Sequence, residues 1–505
     1  MKAKFKRRLP GLLITVMLCV AMVVFMLGLA HTKLFPTKLL LLSGGILVLV
    51  AVIIGLLTRD SKRTGSMIAG IVLTVLMLII LVAGTYYLSD AVKTLSNMTQ
   101  VKVEITDMGV YVRADDPAQD LNEAAAYNFG IMKELDRENT DKVLVDLCHE
   151  LNTSLAVKEY DGLEELVDGL VKDRQVDAIV LNSAYLELLG DTDEYADVED
   201  SMRQLQARQV ETVVENAVQA TTPPKQETGN IFNQLFNDNM VEEEEVVNNS
   251  FAMYISGIDS RSGLIAKSRS DVNILAVVNP DTRQVLLVST PRDFYVPLPI
   301  SNGVPDKLTH AGIYGVDVSI GTLEMLYGID IDYYFRVNFS GFEKIVDALG
   351  GITVNSEKSF TSQDGYSYQK GANKLNGAKA LSFARERKAF ASGDRQRGTN
   401  QMAVIKAVIE KAVSPAILKN YKSLMESVSG SFETSMPYDK IAELVRNQLE
   451  DGGDWNIVSM SVDGTGDSKR PYSLSTRAYV MIPNQETVDA AIAKIQQVIN
   501  GEVIE

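Results

Sequence analysis

Apolar positions crowd the first hundred residues and thin out beyond them. Residues 11–30, 39–57 and 67–88 are uninterrupted apolar runs of about 20 residues each, long enough to cross a hydrocarbon core as helices. They predict three transmembrane helices. A signal peptide has a shorter apolar stretch and a small-residue cleavage site, and two further spans do not follow it. The flanking stretches MKAKFKRR and TRDSKRTGS carry more positive charge than the intervening HTKLFPTK, which predicts a cytoplasmic N-terminus. Three spans then place the rest of this multi-pass chain outside the cell membrane.

Between residues 99 and 238 the pattern alternates. Short β-type runs such as VKVEITDMGVYVR and DAIVLNSAY are separated by helical ones such as LEELVDGLVKD, the signature of a small α/β domain. It contains no nucleophile, metal or phosphate signature and reads as a spacer or protein-contact module. The stretch TTPPKQETGN and the four consecutive glutamates before Val246 read as linker. The chain thus divides into a membrane region (1–98), an accessory α/β domain (99–238), an acidic linker (239–250) and a larger α/β domain (251–505).

In that last domain FAMYISGID and VNILAVVNPDTRQVLLVSTPRD give three strands, the latter two joined by the turn residues NPDT. Their nearly continuous apolar character predicts strands buried on both faces, under helices. DYYFRVNF is a further strand, SGFE (340–343) a capping box, and EKIVDAL a helix stopped by Gly350 and Gly351 before ITV. That order predicts a βαβ unit. Asn376 caps GAKALSFARER, and a long helix runs from about Asp394 into QMAVIKAVIEKAV. After about Met436 the pattern, including DWNIVSMSV, predicts further strands that close the domain.

Composition narrows the function. The chain has 505 residues and a formal net charge of −16, which argues against a nucleic-acid-binding surface spread over the whole protein. Cys19 lies in the first apolar run and Cys148 far beyond the third, so no disulfide joins them. His31, His149 and His310 show no metal spacing and read as structural or solvent-facing.

Against this acidic background, LSFARERKAFASGDRQRGTNQ (381–401) holds four arginines and two acids. Asp394, Arg397 and Gln401 share one helix face; Arg385 and Arg387 point one way only if that piece is extended. Arginine presents a rigid fork of donors suited to bidentate phosphate binding. Arg269 and Arg292 fall at predicted strand ends, where α/β sheets bind ligands. Asp259, Asp271 and Asp293 also sit at strand boundaries, where carboxylates beside phosphate hold Mg²⁺. Exposed salt bridging is the alternative role for these charges, worth under about 1 kcal/mol per pair.

The order of motifs points further. ISGIDSR, RSDVNILAVVNPDTRQVLLVSTPRDFYV, DKLTHAGIYG, FSGFEKIVDALGGITV, LNGAKALSFARERK and GDRQRGTNQMAVIKA together resemble the LytR-CpsA-Psr (LCP) family over about 252–413. The resemblance implies an α/β/α sandwich and a membrane-anchored, Mg²⁺-dependent phosphotransferase. Such an enzyme moves a glycopolymer from a polyprenyl (undecaprenyl) pyrophosphate carrier to peptidoglycan, with pyrophosphate hydrolysis as a side reaction. It implies that Asp259 and Asp271 hold the metal and that Arg269, Arg292, Arg385, Arg387 and Arg397, with Gln401, contact the pyrophosphate. Arg292, Asp293 and Arg385 are then the catalytic candidates, with Asp293 positioning or deprotonating the acceptor hydroxyl.

Three spans and an accessory domain resemble the capsule-associated CpsA branch, which points to capsular polysaccharide as cargo. Asn400 stands where many relatives carry arginine, so it is not counted in the site. Val277, Leu287, Ile345 and Ile405 are candidates to line an apolar cavity for the lipid tail. The competing readings are a membrane-bound transcriptional regulator, for which the short cytoplasmic stretches are too small, and a binding module without turnover.

Overall fold

The three apolar runs fold as helices α1 (Lys2–His31), α2 (Thr37–Thr58) and α3 (Thr64–Met98). The computed structural model describes all residues except 1, 34, 59–63, 99–101, 215–248, 259–266, 392 and 415–431. Asp259 and the acidic linker up to residue 248 therefore lie outside the described residues. The chain divides into two compact units: residues 1–100, 410–429 and 436–454 in one, and 101–409, 430–435 and 455–505 in the other.

In the first unit all three helices are long and apolar enough to cross a membrane. Leu18, Met22, Leu47, Ile54 and Leu81 pack between them, while side chains such as Leu41 and Ile80 point outward, an apolar exterior that suits lipid and not water. The hydroxyls of Thr58 and Thr74 bond to carbonyls one turn back in their own helices. The helix Tyr438–Asp451 also belongs to this unit, and its Asp439 pairs with Lys33 at 3.1 Å.

The second unit holds two sheets. The first is built from β1 (Lys102–Arg113), β2 (Asn128–Met132), α4 (Arg137–Leu151), β3 (Ala156–Tyr160), α5 (Leu163–Val171), β4 (Ala178–Asn182), α6 (Ser183–Leu189), α7 (Val198–Ser201) and β5 (Met202–Val214). Its order is β3-β2-β4-β1-β5. Side chains alternate across it: Val110 and Val112 meet α4 through Val143 and Leu147, whereas Tyr111 meets α5 and α6.

The second sheet comes from β6 (Phe251–Ile258), β7 (Ser270–Asn279) and β8 (Gln284–Ser289), then β9 (Tyr295–Pro297), β10 (Pro305–Lys307), α8 (Leu308–Tyr314), α9 (Val316–Tyr327), β11 (Tyr333–Asn338) and α10 (Phe339–Ala348). A small lobe follows: β12 (Ile352–Ser356), β13 (Phe360–Thr361), β14 (Ser367–Tyr368), β15 (Gly371–Leu375) and α11 (Gly377–Arg385). The chain then forms α12 (Asp394–Ala412), β16 (Phe432–Thr434), β17 (Asn456–Ser461), β18 (Gly464–Lys469), β19 (Ala478–Pro483) and the helix Gln485–Ile499. The sheet order is β16-β11-β6-β7-β8-β17. Strands β11, β6, β8 and β17 run one way; β7 and β16 run the other.

As the apolar runs predict, β8 is buried throughout. Leu275, Val277, Leu286 and Val288 pack under α9 and the helix Gln485–Ile499; Ile274, Ala276, Val285 and Leu287 pack with Met402 and Ile405 of α12. The sheet thus has helices on both faces. Val277 therefore faces away from α12, while Leu287 and Ile405 share the α12 face, where Met253, Ile255, Val272 and Trp455 are only partly buried.

Three local expectations change. The cap of α10 is Asn338, whose side chain accepts from Gly341 N at 2.7 Å; Ser340 already lies inside the helix. The βαβ unit does not form, because β12 pairs only with β15, antiparallel. Its alternating burial suits a strand covered on one face. Beyond Met436 the chain forms two helices as well as strands.

Candidate functional site

The parallel strands end along one edge of the second sheet, and Ile258, Ser270 and Asn338 are register neighbours there. Open α/β sheets bind ligands at such carboxyl ends. Thr290, just past β8, is fixed by its N–H to Asn273 O at 2.9 Å and by its hydroxyl against Tyr327 at 2.7 Å. The next turn delivers Arg292 and Asp293.

Arg292 Nη1 donates to Asp271 Oδ1 at 2.7 Å, and its Nε lies 3.7 Å from Asp293 Oδ2. That Nε is buried with no hydrogen-bond partner among the described residues. Burial works to lower the guanidinium's pKa, but Asp271 and Asp293 outweigh it and raise it. Asp293 is buried, and its Oδ1 lies 3.8 Å from Nζ of Lys307.

The arginine segment comes to the same edge. A Cβ on Gly398 would sit 3.3 Å from Ser289 Oγ at the end of β8, and Arg395 pairs with Asp463, past β17, at 2.7 Å. These contacts set the first turns of α12, with Arg397 and Gln401, over the ends of β8 and β17. Asn400, on the same helix, donates to Phe383 O in α11 at 3.2 Å, tying the two arginine-bearing helices together. Asn376 caps α11 as the sequence predicts, accepting from Lys379 N. The helix ends at Arg385, and Glu386 is extended, with φ −68° and ψ 126°. Glu386 turns inward to accept from Gln363 N and Ala389 N at 2.7 and 2.8 Å, leaving Arg385 and Arg387 exposed on either side of it. Arg385 lies 4.4 Å over the Phe339 ring at the start of α10, a cation–π contact.

The structure thus hydrogen-bonds Arg292 to Asp271, holds Asp293 in ion-pair range 3.7 Å away, and sets Arg397, Gln401, Arg385 and Arg387 on the elements around them. Arg269 has different partners: its Nε bonds Glu187 Oε2 at 2.9 Å and its Nη1 bonds Asp191 Oδ1 at 3.1 Å, both at the α6 end of the first sheet.

Sequence reasoning passes over Lys307, Glu187 and Asp191, and reads His310 only as structural or solvent-facing. Lys307 Nζ donates to Asp191 Oδ2 at 2.7 Å. Of the two readings His310 takes the structural one: it is fully buried, with Nδ1 2.7 Å from Asp306 Oδ1 and 2.9 Å from Ser473 Oγ, and Nε2 3.4 Å from Asp191 Oδ2. Burial works to raise the Asp191 carboxyl, but His310, Lys307 and Arg269 hold it well below the usual range. For His310 burial acts downward, yet Asp306 and Asp191 together raise its pKa. The signal in the sequence is Asp306 four residues before His310: it lies on β10, just ahead of α8, within reach of the first turn that carries His310.

A raised folded-state pKa stabilises fully below the unfolded value of about 6.5, and that stability is lost as pH rises through the folded pKa. The thermal midpoint of the purified chain is expected to fall as pH is raised from about 6.5 to 8.5, and His310→Gln to flatten that slope. Parallel profiles in the two proteins would remove the assignment.

A divalent ion can be tested only on donor chemistry. Among the described residues no group of three or more His, Cys, Asp or Glu could hold a metal ion. Mg²⁺, however, is commonly held by one or two carboxylates, with phosphate and water completing its shell, and Asp271 at this edge is such a donor.

The sequence model of the LytR_cpsA_psr family matches residues 198–495, more than half of the chain. The chain belongs to the LytR-CpsA-Psr family. Among similar proteins is the polyisoprenyl-teichoic acid–peptidoglycan teichoic acid transferase TagU of Oceanobacillus iheyensis, 34% identical over 243 residues, 47% of this chain and 71% of that protein. The TagU transferase of Bacillus subtilis is 35% identical over 217 residues, 43% of this chain and 69% of its own. Among solved structures, B. subtilis TagV aligns with 51% of this chain and 99% of its own at 26% identity and a TM-score of 0.42. The matched part of this LytR-CpsA-Psr chain includes every described candidate site residue.

Proposed function

We propose that the chain is a membrane-anchored phosphotransferase that attaches a glycopolymer from a polyprenyl-pyrophosphate carrier to peptidoglycan, with capsular polysaccharide as cargo. The observation that carries the reading is Arg292, held between Asp271 and Asp293 at the edge where Arg397, Gln401, Arg385 and Arg387 also assemble. The transferases to which the chain is similar are named for an isoprenoid-linked polymer and a peptidoglycan acceptor, which supports the same chemistry here. The accessory domain and three apolar helices favour the capsule branch over teichoic acid. An N-terminus in the cytoplasm puts the site outside, beside peptidoglycan.

In the reaction a peptidoglycan hydroxyl oxygen attacks the sugar-proximal phosphorus, the bond from that phosphorus to the bridging oxygen breaks, and undecaprenyl phosphate leaves with that oxygen. The arginine forks hold the pyrophosphate and bear the charge that grows on its bridging oxygen. Asp293 orients the attacking hydroxyl and takes its proton. Asp271, with Asp259, would hold Mg²⁺, which supplies further neutralisation of phosphate charge. The partly buried apolar side chains between β6, β7 and α12 receive the lipid.

The test uses the full-length chain in detergent with undecaprenyl-pyrophosphate-linked polymer and peptidoglycan, following undecaprenyl phosphate release and polymer retained on the wall with and without Mg²⁺. Metal-dependent transfer that is lost in Asp271→Ala is expected. Tight lipid binding with no product would replace the transferase by a binding module.

A further inference from the structure

Arg269, of the arginine set, reaches into the accessory domain. Asp191 lies just past α6, and one carboxylate there meets three basic side chains, Arg269 ahead of β7 and Lys307 and His310 on the continuous β10–α8 stretch. Its Oδ1 takes Arg269, and its Oδ2 takes Lys307 at 2.7 Å and His310 at 3.4 Å. Lys307 is only 3% exposed. A lysine that deep requires a counter-charge, and two carboxylates are in reach: Asp191 in contact and Asp293 at 3.8 Å.

The two compete for one ammonium. Asp191 draws Lys307 to the accessory side, which leaves Asp293 3.7 Å from Arg292 Nε and 3.8 Å from Lys307, in ion-pair range of both and hydrogen-bonded to neither. Without Asp191, the buried ammonium has Asp293 as its remaining described carboxylate and closes on it. Asp293 is then tied up in a direct ion pair, and Arg292 loses part of its counter-charge.

The surface that delivers Asp191 is packed. Ile313 of α8, Leu474 and Ala478 belong to the same apolar cluster as Tyr185, Leu186 and Leu189 of α6. Across the junction Ser475 N donates to Glu164 Oε1 at 2.7 Å, and Lys267 N donates to Ile105 O at 2.8 Å. Side chains anchored this way hold their positions to the tolerance a reaction site needs.

We propose that Asp191, supplied by the accessory domain, is a positioning residue of the transfer site: it holds Lys307 off Asp293 and fixes Arg269, so the site is complete only when the accessory domain is docked. The inference rests on the transferase reading above. It turns a domain that carries no chemistry of its own into part of the machinery, acting through Lys307.

The experiment has two arms on the full-length chain in detergent. In the first, amines are acetylated and the Lys307 peptide is quantified by mass spectrometry in wild type, Asp191→Asn and Asp191→Glu. Labelling of Lys307 is expected to change at least about threefold in Asp191→Asn and to return toward wild type in Asp191→Glu, since ion-pairing governs a buried amine's accessibility. In the second arm, undecaprenyl-pyrophosphate-linked polymer is the substrate. Asp191→Asn is expected to lower kcat about tenfold with KM within about twofold, the pattern of a group that acts on the reacting centre. In a Lys307→Met background the same change should add nothing.

Unaltered labelling, or an equal loss of kcat with and without Lys307, overturns the inference. A rise in KM alone overturns it too and makes the contact a rim of the lipid site. Should Asp191→Asn fail to fold, Asp191→Glu decides: kcat near wild type supports the inference, and kcat lowered like that of Lys307→Met overturns it. A wild-type chain with no turnover removes the transferase reading, and the positioning role for turnover with it, whereas the labelling arm still shows separately whether Asp191 holds Lys307.

Discussion

Arg292→Ala in the full-length chain is expected to reduce transfer by about 100- to 1,000-fold, the loss that follows removal of a preorganised charge donor at a reacting centre. The geometry makes the effect larger than one lost contact. Asp271 loses its 2.7 Å partner and Asp293 a cation 3.7 Å away, so two carboxylates remain beside an anionic substrate they would repel. Leaving them also costs fold stability, up to about 3 kcal/mol, because a paired charge that loses its partner keeps its desolvation penalty. Arg292→Lys separates the two effects. It restores a charge but not the fork, so it should recover much of the thermal midpoint and little of the rate. Initial rates and melting curves of the three proteins decide; an alanine variant that is folded and within about threefold of wild type would remove Arg292 from the chemistry.

Gly312→Ala is expected to damage both the fold and the rate. Gly312 lies on α8, and a Cβ there would stand 2.6 Å from Ser268 O and 3.0 Å from Ser270 N. Both are backbone atoms, one just ahead of β7 and one at its first residue, so no side chain can rotate away. Either α8 or the strand must move, at about 1–3 kcal/mol or more for an overpacked site. Lys307 immediately precedes α8, His310 lies on it, and Arg269 and Asp271 flank Ser270. One displacement therefore reaches both sides of the Asp191 contact. The measurement is a melting curve beside a rate: a lower midpoint with a further loss of rate at temperatures where the variant is fully folded. Gly303→Ala is the control for backbone freedom alone, because its φ is +85° and nothing lies within 4 Å of its Cβ position. If both alanines behave alike, close approach is not the cause.

What the sequence makes legible is what local physics settles. Three long apolar runs, two nearly unbroken apolar strands and the NPDT turn, where Asn279 accepts from the N–H groups of Asp281 and Thr282, all report short-range preference. So does Asn376 as a cap. The cap of α10 shows the limit: Asn338 and Ser340 both offer a side-chain oxygen, and the register of Asn338 against Ile258, a long-range fact, places the helix start. The pairing of β12 with β15 is likewise chosen by tertiary packing. The helix Gln485–Ile499 was readable, since Val488, Ala491, Ile495 and Val498 recur at spacings of three and four and are all buried.

The site divides in the same way. Arg292 beside Asp293 and the RER triplet announce themselves as charge at predicted element ends. The destination of Arg269 does not, because its partners Glu187 and Asp191 stand 82 and 78 residues away. Charge pattern tells which side chains need partners and leaves open which fold elements bring them.

The order of the sheet has a consequence for how the protein is made. Strands β11, β6, β7 and β8 and every described candidate site residue precede residue 402, but the strands that flank them, β16 and β17, come from residues 432–434 and 456–461. Gln284 on β8 is further bound by residues 502 and 504. A chain made from its N-terminus onward therefore carries all its described candidate site arginines before either border of the sheet is covered, with two rows of backbone donors and acceptors open to pairing with other chains. Ribosomes that stall ahead of residue 432 would release an adhesive product with both borders of this sheet open, and quality-control proteases would have their substrate in that interval.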